Sequence, residues 1–307
     1  RLNYFRKKLY IQSSKNLFVF RKKFGNKYPV IDSHLHLGVQ PNSVYLEDDL
    51  TRDMDASGID VQVIFQNVEG YQHKTPAWNP YIGNDYIASV QEKYPDKVIG
   101  LGSVNPWMQS PKASDFPLSA RGKNLGVVTE DPALDEVRRC MLDLGLWGLK
   151  MHPLFHGYHI NSSVVQRVLD TMVECQKKVS RQLFIVCHMA GDSIFNSPEA
   201  LGDLAEAYPE ILFLAAHAGY PWGTYTLSTA LGKLDNVKID LSNCPNKSTA
   251  SVVYDKYGVE KFTQGSDMPY ATYGMAKAIV EDIFESPEDR EMVRGGNLAN
   301  ALRISFS

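Results

Sequence analysis

A chain of 307 residues, 44% hydrophobic and 22% charged, is long enough for one large domain or two ordinary ones and can bury a sizeable core. A peptide, a disulfide-stapled module and a mostly disordered chain are excluded, and no run approaches the ~18 apolar residues of a membrane span. The net charge of −3 is uneven: nine of the 32 basic residues precede the first acid, Asp32, leaving 23 against 35 acids for the rest, and so acidic a body excludes nucleic acid as a partner.

Residues 1–27 carry those nine basic residues and read as a helical extension, anchored to the body through Leu2, Phe5, Leu9, Leu17, Phe18 and Phe20. A targeting segment or a membrane-surface helix are the alternatives. From residue 28 to 307, short β-branched or apolar runs alternate with amphipathic stretches. The predicted strands are 29–34, 61–65, 98–103, 147–151, 183–188, 211–216, 237–241 and 261–265. Helical stretches follow them, at 46–56, 84–94, 133–144, 162–179, 199–207, 249–257 and 272–284, several with Asp or Ser near the start as capping requires. Eight such units are the arithmetic of an α/β (β/α)8 TIM barrel. The long insertion from Val104 to Pro132 reads as a lid or substrate loop. The four cysteines, Cys140, Cys175, Cys187 and Cys244, form no CxxC pair, which suits buried free thiols and a cytoplasmic setting.

In such a barrel the active site lies at the carboxyl ends of the strands. Strand one ends His34-Leu35-His36, strand four carries Lys150 and then His152, strand five ends at His188, strand six leads to His217, and strand eight runs into Asp267. Side chains two apart on a strand share a face, so both imidazoles of the first pair can reach one metal. His188 and Asp267 would complete the shell and leave a position open for water. An HxH pair alone says little in a chain with eight histidines; the joint pattern carries the reading. A residue such as Ser266 stands in no GxSxG elbow, and no glycine cluster forms a phosphate loop.

The segments IDSHLH, GLKMHP, CHMAG, AHAG and GSDMPY, in this order, resemble the amidohydrolase superfamily, and within it the branch that includes aminocarboxymuconate-semialdehyde decarboxylase and the resorcylate decarboxylases. The resemblance spans about residues 29–305. It implies a mononuclear metal on His34, His36, His188 and Asp267, with His217 orienting or activating a metal-bound water. In binuclear members a strand-four lysine is carboxylated and bridges two ions, so Lys150 and His217 would become ligands in that case. An ion pair of Lys150 with Asp32 or Asp267 is the plainer alternative.

A divalent ion, with Zn2+ first and Mn2+ or Fe2+ as alternatives, would make hydroxide available near neutrality, and Asp267 would move the proton. The leading expectation is therefore a metal-dependent hydrolase of an amide, lactone or ester of a small cyclic or aromatic acid. The alternative is a metal-dependent non-oxidative decarboxylase of a small aromatic or enol acid, and a barrel that binds without catalysing is a third. Trp107, Arg121, His152, Tyr158, Tyr220 and Trp222 are the candidates for substrate contact, among loop aromatics able to line a flat-sided pocket. His73 and Lys74 could bind a carboxylate. His156 and His159 are expected to face solvent or to be hydrogen-bonded. A homo-oligomer is expected on general grounds.

Overall fold

The computed structural model describes residues 19–20, 22–23, 25–39, 44–66, 80–107, 131–190, 194–220 and 224–306. Most of the basic head, residues 108–130 of the long insertion, and Arg121, Trp222, His73 and Lys74 with them, lie outside the described residues.

Eight strands build the barrel: β2 (Ile31–Val39), β4 (Val61–Gln66), β5 (Val98–Ser103), β6 (Gly148–Met151), β7 (Phe184–Cys187), β8 (Leu212–Ala215), β9 (Val237–Asp240) and β10 (Phe262–Thr263). They lie in one sheet in the order β10-β9-β8-β7-β6-β5-β4-β2, every neighbouring pair parallel. The ends of that order meet. Ser33 N–H donates to Gln264 O at 2.9 Å, Asp267 N–H to His34 O at 2.8 Å and His36 N–H to Met268 O at 2.8 Å, which curls the sheet closed. A short β3 (Val44–Tyr45) pairs antiparallel with the end of β2, an addition the sequence pattern did not suggest.

The predicted strands fall within a few residues of the observed ones. Seven predicted helices are also found: α1 (Glu47–Ser57), α2 (Pro80–Lys93), α3 (Pro132–Arg138), α5 (Ser163–Gln176), α6 (Pro198–Ala207), α8 (Lys247–Tyr257) and α9 (Tyr273–Ile283). Side chains start several of them. Asp131, Ser197, Asn246 and Thr272 each accept a backbone N–H of the first turn, and each such cap is worth ~1 kcal/mol. The stretch expected as one helix over 133–144 changes into a π turn at Arg139–Asp143. The helices α4 (Pro153–His156), α7 (Thr224–Leu231), α10 (Pro287–Glu291) and α11 (Asn297–Leu302) complete the described set.

Alternation along each strand separates two cores. Val61, Val63, Phe65, Ile99, Leu101, Phe184, Val186, Leu212 and Leu214 fill the barrel, whereas Ile64, Leu149, Met151, Ile185, Cys187 and Phe213 pack under the helices. All four cysteines are buried and free. Beyond the start of the barrel the inner core continues into Trp147, Leu298, Leu302 and Phe20. Phe20 belongs to β1 (Val19–Phe20), which pairs parallel with β11 (Ser305–Phe306), and its ring meets Trp147 edge-on at 6.0 Å. Phe20, one of the side chains expected to anchor residues 1–27 to the body, is thus 1% exposed. Among the described residues, no helix is long and apolar enough to cross a membrane.

Candidate metal centre

The sequence Ile31-Asp32-Ser33-His34-Leu35-His36 puts both imidazoles into the barrel mouth because the strand alternates, with an irregularity in the pairing to β4 between Asp32 and Leu35. His34 is 0% and His36 2% exposed. Their Nε2 atoms are 3.3 Å apart. Asp267 Oδ1 lies 3.3 Å from His34 Nε2 and 3.4 Å from His36 Nε2. Three donors at these separations outline one face of a coordination shell with bonds of about 2.0–2.1 Å. Among the described residues, His34, His36 and Asp267 are the group able to hold a metal ion.

The floor is Phe65, whose ring centroid lies 5.1 Å from His34 and 4.8 Å from His36, with Lys150 Nζ 4.7 Å above it. Lys150 Nζ reaches His34 Nε2 at 3.0 Å. This imidazole contact adds to the roles expected for the lysine. Burial, seconded by Lys150, pushes His34 well below the ordinary imidazole range, and burial lowers His36 to about 4. Burial works against the Asp267 anion, yet the imidazoles of His217, His36 and His34 more than offset it and hold the carboxyl well below its usual range. Neutral nitrogens beside a carboxylate are the protonation states a divalent cation requires.

Three turns aim this chemistry. His217, Asn243 and Asp267, just beyond β8, β9 and β10, adopt left-handed backbone with φ of 60°, 50° and 60°. Such conformations cost about 1–3 kcal/mol each at non-glycine residues and concentrate at functional sites. Asn243 Nδ2 donates to Asp267 Oδ2 at 3.3 Å. Beneath them Asp32, raised by burial to about 7, accepts the backbone N–H groups of His34 and Ser266 at 3.1 and 2.8 Å and so ties β2 to the turn that carries Asp267.

The other expected residues separate. His217 lies beside the donors, its ring 4.9 Å from His34. His188 is outside the donor group: it is 4.9 Å from His217 and stacks on His152 at 3.8 Å. His152 also meets Phe155 at 4.2 Å. Trp107 and Tyr220 are exposed. Tyr158 is 1% exposed and belongs to the core cluster between strands and helices. Of the two histidines expected to face solvent or be hydrogen-bonded, His156 is buried, and burial lowers it to about 3, whereas His159 is exposed and packs beside Phe195. Tyr45 and Tyr273 turn away, bonding Asp53 at 3.1 Å and Gln62 at 3.0 Å. Among the described residues, Tyr270 is a loop aromatic beside the donor group, 5.2 Å from His36 edge-on.

Residues that sequence reasoning missed are Asp240 and Ser242, at the end of β9. Asp240 Oδ2 lies 2.7 Å from His34 Nδ1, and Ser242 O lies 3.0 Å from His217 Nδ1. Their signal, the polar pair in VKIDLS, looks like ordinary strand alternation until closure of the barrel leaves only β10 between β9 and β2.

A buried His-His-carboxylate centre at the carboxyl end of a parallel barrel is the mark of metal-dependent enzymes of the TIM-barrel kind. The family model described as amidohydrolase matches residues 31–304, and the chain belongs to that family. Comparison with curated protein sequences finds no match. Solved structures share the fold at low identity. The 5-carboxyvanillate decarboxylase of Sphingomonas paucimobilis is 16% identical, with a TM-score of 0.61 over 91% of this chain and 100% of that one. The corresponding enzyme of Novosphingobium aromaticivorans, solved with manganese and 4-hydroxy-3-methoxy-5-nitrobenzoic acid, is 15% identical, with a TM-score of 0.64 over 94% and 100%. The 4-oxalomesaconate hydratase of Rhodopseudomonas palustris is 17% identical, with a TM-score of 0.58 over 89% and 95%.

Proposed function

We propose that this protein is a metal-dependent, non-oxidative decarboxylase of a small aromatic carboxylic acid. The observation that carries the reading is the donor group of His34, His36 and Asp267, met edge-on by the exposed Tyr270, in a barrel shaped like those of two 5-carboxyvanillate decarboxylases. The likeness to those two decarboxylases supports decarboxylation over the hydrolysis that the sequence favoured. The manganese in the Novosphingobium enzyme supports a hard divalent ion as readily as zinc.

His34, His36 and Asp267 would hold the ion, with His188 released from its stack on His152 as a further ligand. When bound, a divalent ion supplies a positive charge that orients a substrate carboxylate or phenolate and stabilises the negative charge developing on its oxygen. Tyr270 flanks the ring, and Trp107 and Tyr220 are placed to line the mouth. Asp267, an anion in the resting site, takes up a proton and delivers it to the ring carbon as the carbon–carbon bond breaks and carbon dioxide leaves. The bond's electron pair becomes the new carbon–hydrogen bond. His217, fixed by Ser242, faces the same space and can hold the substrate's oxygen.

The test is a panel of hydroxybenzoic acids incubated with the metal-loaded protein in D2O and in H2(18)O. Decarboxylation gives carbon dioxide and one deuterium on the ring. An 18O atom in the product of an ester, lactone or amide panel, with no carbon dioxide from any acid, would restore hydrolysis and overturn the proposal.

A further inference from the structure

We infer that Asp240 and Ser242 are positioning residues that fix which ring nitrogen carries the proton in both His34 and His217, leaving each Nε2 lone pair turned into the metal centre. The inference rests on the reading of His34 as a ligand, but its first test does not.

Four contacts fix the Asp240 carboxylate, which is fully buried. Its Oδ1 accepts the backbone N–H of Ser242 at 3.0 Å and lies 3.2 Å from Ser33 Oγ. Its Oδ2 accepts the Ser242 hydroxyl at 2.8 Å and faces His34 Nδ1 at 2.7 Å. A carboxylate in this setting accepts, so Nδ1 of His34 must donate. The opposite nitrogen agrees, because Lys150 Nζ lies 3.0 Å from Nε2 and, as an ammonium, can only donate to it. In His217, Nδ1 lies 3.0 Å from the Ser242 carbonyl, a group that can only accept, so Nδ1 again bears the proton. One two-residue step beyond β9 thus sets both rings, and the Ser242 hydroxyl stands between them, 3.1 Å from His34 Nδ1 and 3.2 Å from His217 Nδ1. Carboxylates behind ligating histidines act in this way, and their loss weakens metal binding about 10–100-fold.

The geometry separates two substitutions that a merely structural role would not. In Asp240→Asn the amide oxygen must face the Ser242 N–H, because a backbone donor cannot invert whereas an imidazole can move its proton and a hydroxyl can turn. The amide NH2 then faces His34 Nδ1, which must accept, and the proton moves to Nε2, where a metal would bind. Asp240→Ala removes the acceptor without adding a donor, so His34 can still present its lone pair. Asn is therefore the more damaging change for metal binding, although it is the closer match in shape.

The experiment uses the full chain. In metal-free protein, 15N shifts of the histidine rings should show a protonated Nδ1 and a lone pair at Nε2 for His34 and His217, with His34 inverted in Asp240→Asn. Calorimetric titration with Mn2+ should then show affinity falling about 100-fold in Asp240→Asn and about 10-fold in Asp240→Ala. A wild-type His34 protonated at Nε2 overturns the inference without any variant, as does an Asn variant that keeps the wild-type pattern or binds Mn2+ as well as Ala does. Absence of Mn2+ and Zn2+ binding by the wild type would overturn the metal reading instead, while the ring shifts would still decide the positioning role.

Discussion

Phe20→Ala measures how far the amino-terminal segment belongs to the barrel. The side chain is 1% exposed, sits among the inner core residues and meets Trp147 edge-on at 6.0 Å. Truncating a fully buried phenylalanine costs about 3–5 kcal/mol. With an unfolding entropy of about 2.1 cal/mol/K per residue, 307 residues give roughly 0.64 kcal/mol/K, so a loss of about 4 kcal/mol lowers Tm by about 6 °C. Thermal melts of the full chain by circular dichroism read this directly. Val19→Ala, at the 48% exposed neighbour, is the control and should move Tm by less than about 1 °C. Because Phe20 lies at the end opposite the metal centre, Mn2+ affinity should stay at the wild-type value. A fall in Tm no larger than that of the control would refute the reasoning and favour a targeting or membrane-surface role for residues 1–27 over the anchored extension.

Asp267→Asn should lower carbon dioxide release about 100- to 10,000-fold, because the group that moves the proton is gone, and turnover near wild type would refute that role. Gly265→Ala would bring a methyl within 2.3 Å of Asp240 Oδ1 and 2.8 Å of His34 Cβ, so Mn2+ affinity should fall; Gly274→Ala, with no contact under 3.8 Å and a place within α9, should leave affinity unchanged and raise stability by about 0.5–1 kcal/mol. His156 is held at about 3 by burial, below the unfolded value near 6.5. The unfolded chain therefore binds the extra proton, and the contribution of this residue is fully present above about pH 6.5 and is lost as pH falls toward about 3, by up to ~1.4 kcal/mol per pH unit. Denaturant unfolding of wild type and His156→Leu between pH 4 and 7 should show a steeper pH dependence for the wild type, and parallel curves would contradict the assignment.

The barrel was legible because its signals are local. Runs such as VQVIF and VIGLGS must be strands buried on both faces, and the caps at Ser197 and Thr272 follow from one side chain each. The HxH pair was legible for the same reason, since alternation alone sends His34 and His36 to one face. Asp240 was not, because its role exists only once closure of the barrel brings β9 within one strand of β2, 206 residues earlier in the chain. The burial of Tyr158 was not legible either: a tyrosine just after a strand end looks like a rim residue, but the short helix α4 ends at Gly157 in a left-handed turn that precedes a buried side chain. Phe20 was legible as an apolar anchor, but its strand was not, because a two-residue strand such as Val19–Phe20 has no periodicity to detect.

The barrel interior also explains why an apolar ring lies beneath a polar centre. With Phe65 against both imidazoles, His34 and His36 lose most of their hydration and resist protonation. At its ordinary value near 6.5 a histidine would surrender its lone pair to protons across mildly acidic pH, whereas His36 at about 4 keeps it available. Desolvation of this kind destabilises the folded chain at low pH, and nothing in the packing requires imidazoles here, since phenylalanine or leucine would fill the space without that cost. The left-handed backbone at His217, Asn243 and Asp267 adds strain at the same end of the barrel. Stability is gathered at the opposite end, where Phe20, Trp147, Leu298 and Leu302 close the core with apolar side chains. That division, strain and desolvated nitrogens at one mouth and close packing at the other, is what a barrel that binds a cation and carries out chemistry at its carboxyl end requires, and a purely structural barrel would have no reason to maintain it.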